Sequence, residues 1–168
     1  PEKPKSEYIR FAHGLHEPLG LLYHDGAFYS NQRGELTQLI DQDGDNQADI
    51  YKTVTKWDLN GNYHEYSYGP VLLPDGQMLV TLNLGWEGYG VSASKWRGWM
   101  LKVSQDGQVT PYATGLRSPA GFGVNAEGDV FYTENQGDWV GSGRMTHLKL
   151  GDFAGNPAGL RWSGEIGS

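Results

Sequence analysis

Residues 70–80 read PVLLPDGQMLV, and this stretch decides the fold. Two apolar runs flank an Asp75-Gly76 turn, which is the short-range pattern of a β-hairpin. The same arrangement surrounds Asp25-Gly26 and Glu127-Gly128, and the three turn glycines are 50 and 52 residues apart. A repeat of roughly 40–50 residues with several short strands is typical of a β-propeller blade.

A second landmark has the same period. Residues 14–20, GLHEPLG, return as residues 115–121, GLRSPAG, at an offset of 101 residues, about two periods. Each unit also has room for two further strands, which the sequence places at 34–40, 49–54, 98–103 and 108–113. Two independent landmarks with one period favour a propeller over the alternative, an ordinary hairpin-rich sandwich.

We therefore expect an all-β protein built from about three four-stranded antiparallel blades. Blade 1 would span about 14–57 and blade 2 about 62–114. Blade 3, about 115–168, is incomplete, because its last part is rich in glycine and offers one weak strand near 160–162. No helix of three turns is predicted. Closed propellers have roughly 4–8 blades, so this chain is too short to close a ring alone.

Composition excludes several classes of protein. The 168 residues include 25 glycines, no cysteine and a net charge of −7. No basic stripe offers a nucleic-acid surface, and no apolar run approaches the roughly 18–20 residues that span a bilayer. The absence of cysteine excludes disulfides and thiol catalysis within these residues. The chain begins at Pro1 without an apolar signal segment, so we expect any targeting peptide to have been removed or to lie outside it.

Two segments resemble a known family. Residues 115–121 together with 134–140, ENQGDWV, resemble the glucose/sorbosone dehydrogenase-type propellers of large secreted bacterial proteins, which often carry a c-type haem domain. Residues 62–66, NYHEY, followed by Gly69-Pro70, are similar to the segment that bears the catalytic base in soluble quinoprotein sugar dehydrogenases. Propellers of this type have six blades, so the resemblance implies that the chain is half, or another fragment, of such a ring.

The resemblance implies a site for pyrroloquinoline quinone (PQQ) and a sugar. His64 would be the catalytic base, and Arg117, Gln136 and Asp138 would contact the cofactor. Ser118 departs from the asparagine that commonly follows this arginine. The alternatives are structural: a histidine bonded to a neighbouring blade, and an arginine that binds turn carbonyls.

Residues 41–49, DQDGDNQAD, form a separate candidate site. Carboxylates at positions 1, 3, 5 and 9 of one turn can converge on a hard cation, and a backbone carbonyl can complete the oxygen ligands. The sequence thus predicts Ca²⁺ on Asp41, Asp43, Asp45, Gln47 and Asp49. The alternative is a solvated turn that favours Asp and Gly.

The functional prediction is PQQ-dependent oxidation of a sugar by a full-length parent in the periplasm or outside the cell, with no catalysis by this chain alone. The alternative is a non-catalytic propeller scaffold that binds a glycan or a protein. Partners would be a second copy that completes the ring, or further blades of the parent chain. The blades are predicted to pack through apolar strand residues: Leu21, Val71, Val80, Phe122 and Phe131.

Overall fold

The computed structural model describes residues 6–85, 94–136 and 141–165, and their regular structure is almost entirely β. The strands are β1 (Leu21–His24), β2 (Ala27–Asn31), β3 (Glu35–Ile40), β4 (Ile50–Lys56), β5 (Ser67–Leu72), β6 (Met78–Leu82), β7 (Trp99–Val103), β8 (Val109–Thr114), β9 (Gly121–Val124), β10 (Val130–Glu134) and β11 (Arg144–Leu148). One 3-10 helix, η1, covers Pro157–Glu165.

The strands form three antiparallel sheets in which neighbours in sequence are neighbours in space. Blade 1 is β1 to β4, blade 2 is β5 to β8, and blade 3 is β9 to β11. The first hairpin of each blade turns at Gly26, Gly76 or Gly128, and all three have a positive φ between 76° and 91°. Glycine adopts this conformation at no steric cost, which is why the turn motif repeats.

The first strands of the blades lie side by side. Strand β5 contacts β1 on one side and β9 on the other, so the three sheets are arranged around the inner strands as blades. The predicted all-β propeller fold is confirmed.

Strand β6 lies at the centre of the core and packs against both neighbouring blades. All five of its residues are buried. Met78, Val80 and Leu82 belong to a cluster with blade 1, whereas Leu79 belongs to a cluster with blade 3. Because successive side chains of a strand point to opposite faces, one strand buries both faces of blade 2.

Strand alternation defines two ends of the molecule. The loops that precede β1, β5 and β9, and the residues that follow β2, β6 and β10, lie at what we call the loop end. The hairpin turns after β1, β3, β5, β7 and β9 lie at the opposite end, which we call the turn end.

The predicted strand near 160–162 is wrong, since these residues lie in η1. Asn156 precedes the helix and its side chain accepts a hydrogen bond from the Ala158 N–H, 3.1 Å. Pro157 follows, and this pair is a helix-start signal. Ahead of η1, Phe153 forms a parallel bridge with Thr114 of blade 2. Among the described residues, no helix is long and apolar enough to cross a membrane.

Candidate functional site

His64 lies in the loop between β4 and β5, at the loop end of blade 2. Its side chain is half-buried, with Nδ1 fully buried. The imidazole ring packs on Tyr63 with 3.8 Å between ring centroids. Because Nδ1 is enclosed, any chemistry with a bound molecule falls to Nε2.

Asn83, the residue after β6, holds the backbone around His64. Its Nδ2 donates to the His64 carbonyl at 2.7 Å, and its Oδ1 accepts from the Tyr66 N–H at 2.5 Å. Asn83 is only 4% exposed. A buried amide with both ends satisfied fixes the peptide groups on either side of Glu65.

Arg33, from the loop end of blade 1, holds the same loop from the other side. Its Nη2 donates to the Asn62 carbonyl at 2.6 Å, and its Nη1 pairs with Glu17 at 2.9 Å. The guanidinium also lies over the Tyr66 ring, 5.6 Å from the centroid. The loop that carries His64 is therefore tied to two blades.

Arg97 is a buried cation beneath this loop. It donates to the carbonyls of Tyr66, 2.7 Å, and Asp58, 3.2 Å. Burial lowers the pKa of Arg97 to about 10, against the opposing negative charge of Glu65, which is itself fully buried. Arg97 therefore stays charged at neutral pH, and its hydrogen bonds to carbonyls are charge-assisted.

Arg117 lies in the equivalent loop of blade 3, where Glu134 holds the backbone. The two Glu134 oxygens accept from the N–H groups of Arg117 and Ser118, each at 2.8 Å. Glu134 is 5% exposed and ends strand β10. The Ser118 N–H thus has a defined structural role in this loop.

The structure brings Gln136 to Arg117, since Arg117 Nη1 donates to the Gln136 carbonyl at 3.1 Å. The Gln136 side chain is exposed. Asp138, the other predicted cofactor contact, lies outside the described residues.

The two loops meet at consecutive residues of blade 2. Asn83 binds the His64 loop, and the next residue, Leu84, donates its N–H to the Arg117 carbonyl at 2.9 Å. Tyr68 lies in the same region: burial raises the pKa of its phenol, and the nearby charges of Tyr66 and Glu134 add to this. His64 and Arg117 therefore flank one short segment at the loop end.

The aspartate turn lies between β3 and β4, at the turn end. Carboxylate oxygens of Asp41, Asp43 and Asp49 come within 4.8 Å of one another. Asp45 is not in this group; its carboxylate accepts two hydrogen bonds from Gln47, at 2.7 and 3.0 Å. The aspartates are at the opposite end of the blades from His64 and Arg117.

Sequence reasoning missed Arg33, Asn83, Arg97 and Glu134, which hold these loops, and Gln32, which holds the corresponding loop of blade 1. One signal was available. In each blade the second strand is an apolar run, and a polar residue stands at its end or directly after it. This residue is the last letter of AFYSNQ, MLVTLN and VFYTE. Such a residue sits where a buried strand reaches the loops, and a buried polar side chain requires partners.

Comparison with known proteins identifies the fold. No protein-family profile matches the chain, and no curated protein does. Among solved structures, a glucose dehydrogenase matches with a TM-score of 0.64 at 13% identity, over 90% of this chain and 57% of that one. The PQQ-bound aldose sugar dehydrogenase from Streptomyces coelicolor matches with a TM-score of 0.60 at 16% identity, over 77% and 43%.

The PQQ domain of a pyranose dehydrogenase from Coprinopsis cinerea matches with a TM-score of 0.54 at 16% identity, over 82% of this chain and 40% of that one. The chain thus spans about half the length of the solved structures it matches first. Its fold is that of the glucose dehydrogenase-type propellers, as the motifs at 62–66 and 115–121 predicted.

Proposed function

We propose that this chain is part of an extracytoplasmic, PQQ-dependent sugar dehydrogenase, and that it supplies the catalytic base and a cofactor contact. The observation that carries the proposal is the convergence of the His64 and Arg117 loops on Asn83 and Leu84. The backbones of both loops are fixed by buried polar side chains. Preorganised groups of this kind are what a catalytic site requires.

The donors at this site suit the cofactor. PQQ is a planar quinone with carboxylate groups, and it needs cationic hydrogen-bond donors. The Arg117 guanidinium is partly exposed and uses Nη1 on the Gln136 carbonyl, so other N–H groups remain to bind an oxyanion. Arg33 does not compete for this role, because its guanidinium pairs with Glu17 and Asn62.

When bound, the quinone would accept the two electrons that leave C1 of the sugar as hydride. His64 would take the proton of the C1 hydroxyl on Nε2, since Nδ1 is buried. Histidine suits this role because its charge changes in the physiological pH range. Arg117 would bind and orient the anionic cofactor, and the two loops would set the distance between cofactor and base.

The activity belongs to the full-length protein, because the chain spans about half the length of the structures it resembles. We expect no turnover from these 168 residues alone. The parent is expected to act in the periplasm or outside the cell.

The test is reconstitution of the full-length protein with PQQ, followed by dye-reduction assays with a panel of aldoses. His64→Ala should lower kcat by about 10²–10⁴ with little change in the Kd for PQQ, since the base acts in the chemical step. His24→Ala is the matched control, because His24 ends β1 at the turn end. It should leave both values unchanged.

Two outcomes would contradict the proposal. Full activity of His64→Ala would remove His64 as the base. Failure of the wild-type protein to bind PQQ would instead favour a non-catalytic propeller that binds a glycan or a partner protein.

A further inference from the structure

Each blade places a buried polar residue at the loop-side end of its second strand. Gln32, Asn83 and Glu134 are 7%, 4% and 5% exposed. Each side chain accepts a backbone N–H from the loop that precedes the first strand of its own blade: that of His16, Tyr66 and Arg117, respectively. The contact is therefore a repeated feature of the blades, and the two residues of the pair are 16, 17 and 17 positions apart in the three blades.

We propose that Asn83 and Glu134 are positioning residues that set the catalytic base and the cofactor-binding arginine separately. This inference rests on the proposed function. Asn83 acts through the His64 backbone and Glu134 through the Arg117 backbone, so neither needs to touch sugar or cofactor. The two roles predict different kinetic effects.

The Asn83 contact is specific to an amide. Asn83 Nδ2 donates to the His64 carbonyl and its Oδ1 accepts from the Tyr66 N–H, which also reaches the His64 carbonyl at 3.1 Å; only a carboxamide offers both a donor and an acceptor to this pair. Aspartate would keep the acceptor but place an oxygen against the His64 carbonyl. A buried oxygen pair without a proton between them is destabilising.

The Glu134 contact is specific to a carboxylate. Two consecutive N–H groups, of Arg117 and Ser118, point at its two oxygens, and the Asn135 N–H adds a third contact at 3.2 Å. All three partners are donors. Glutamine would turn an NH₂ group toward one of them, so Glu134→Gln breaks the contact with almost no change in volume.

Gln32 supplies the matched control. It has the same place at the end of the second strand in blade 1 and similar burial, and it also bonds Thr37 at 2.6 Å. It holds the His16 loop, which contains neither the proposed base nor the proposed cofactor contact, although Glu17 of this loop pairs with Arg33. Gln32→Ala should therefore lower stability as Asn83→Ala does, without the kinetic effects.

The experiment measures PQQ affinity, kcat and the His64 imidazole signal for Asn83→Ala, Asn83→Asp, Glu134→Gln and Gln32→Ala in the full-length protein. Asn83→Ala and Asn83→Asp should lower kcat about tenfold or more, because misplacement of a base by about 1 Å has effects of this size. Their Kd for PQQ should stay within about twofold of wild type. Glu134→Gln should raise the Kd for PQQ about tenfold, with kcat at saturating PQQ within about threefold.

The imidazole readout separates this inference from the proposed function. In the cofactor-free protein with ¹³C-labelled histidine, Asn83→Ala should shift or broaden the His64 resonance, whereas Glu134→Gln and Gln32→Ala should not. Failure of the wild type to bind PQQ would contradict the proposed function and the role of Glu134 in cofactor binding. The expected His64 shift in Asn83→Ala would still show that Asn83 positions His64. An unchanged His64 resonance in Asn83→Ala, or equal kinetic losses in all four variants, would overturn the positioning roles.

Discussion

Gly20 shows how closely two blades approach. A Cβ atom at this position would lie 1.9 Å from the carbonyl oxygen of Gly69, at the start of blade 2. Gly20 corresponds to Gly121 in the 101-residue repeat, where a Cβ would meet the Thr133 hydroxyl at 2.4 Å. The last glycine of the repeated motif is therefore required by packing, since its φ is not positive.

Gly20→Ala should destabilise the protein by about 1–3 kcal/mol or more, because the backbone of blade 2 must move to accept one methyl group. Gly123→Ala is the control, since a Cβ there has open space and a φ that other residues tolerate. It should be neutral or slightly stabilising. Urea unfolding measures both, and equal midpoints for the two variants would contradict the close approach.

At the level of residues, the motifs indicate His64 and Arg117 as candidates, whereas Asn83 and Glu134 were not singled out from the sequence. The first two belong to short patterns that can be read locally. The others act through contacts with residues 17 to 19 positions away. Such contacts exist only once the strands have paired, so the polar residue at the end of each apolar second strand indicates that a partner is required but not which one.

Among the elements, the strands were predictable because turn glycines and apolar runs alternate with one period. Strand β6 is an apolar run, MLVTL, interrupted only by Thr81, whose hydroxyl bonds the Pro119 carbonyl of the next blade at 2.9 Å. The helix η1 was not predicted, because its start signal, Asn156-Pro157, lies in a segment whose glycines suggested turns.

We also propose that the turn between β3 and β4 binds Ca²⁺ through Asp41, Asp43 and Asp49, whose oxygens lie within 4.8 Å. The ion would stabilise the turn end and stay away from the cofactor, because His64 and Arg117 are at the loop end. Three carboxylates this close repel one another, which a cation relieves.

Calorimetry with calcium should show binding to the wild type, loss of binding in Asp43→Ala, and a smaller loss of calcium affinity in Asp45→Ala, whose carboxylate lies outside the group of three. Asp106→Ala is the control, since Asp106 occupies the corresponding β7–β8 turn of blade 2. No heat from the wild type, or the same titration for Asp43→Ala and wild type, would remove the calcium site.

For the whole molecule, apolar exposure is concentrated on the outer blades. Among the described strand residues of blade 2, no large apolar side chain is exposed. In blade 1, by contrast, Leu21 and Tyr23 are 67% and 63% exposed, and in blade 3 Met145 is 75% exposed. Val80, between blades, is fully buried as predicted, but Leu21 is exposed, because no blade among the described residues covers its side of β1. Apolar patches of this kind mark interfaces.

We propose that three further blades cover these faces, either from a second copy of the chain or from the rest of the parent. The chain spans 57% and 53% of two glucose dehydrogenases that it matches, so a parent of that length would have room for further blades. The described part of the N-terminal segment contacts blade 1, where Phe11 packs on Phe28 with ring centroids 4.7 Å apart.

The most direct test is a crystal or electron cryo-microscopy structure of the full-length protein with PQQ. It should show a closed ring in which other blades cover Leu21 and Met145. The quinone should lie at the loop end between the His64 and Arg117 loops, away from the Asp41–Asp49 turn. A quinone bound elsewhere, or an empty loop end at saturating PQQ, would contradict the assignment of this site.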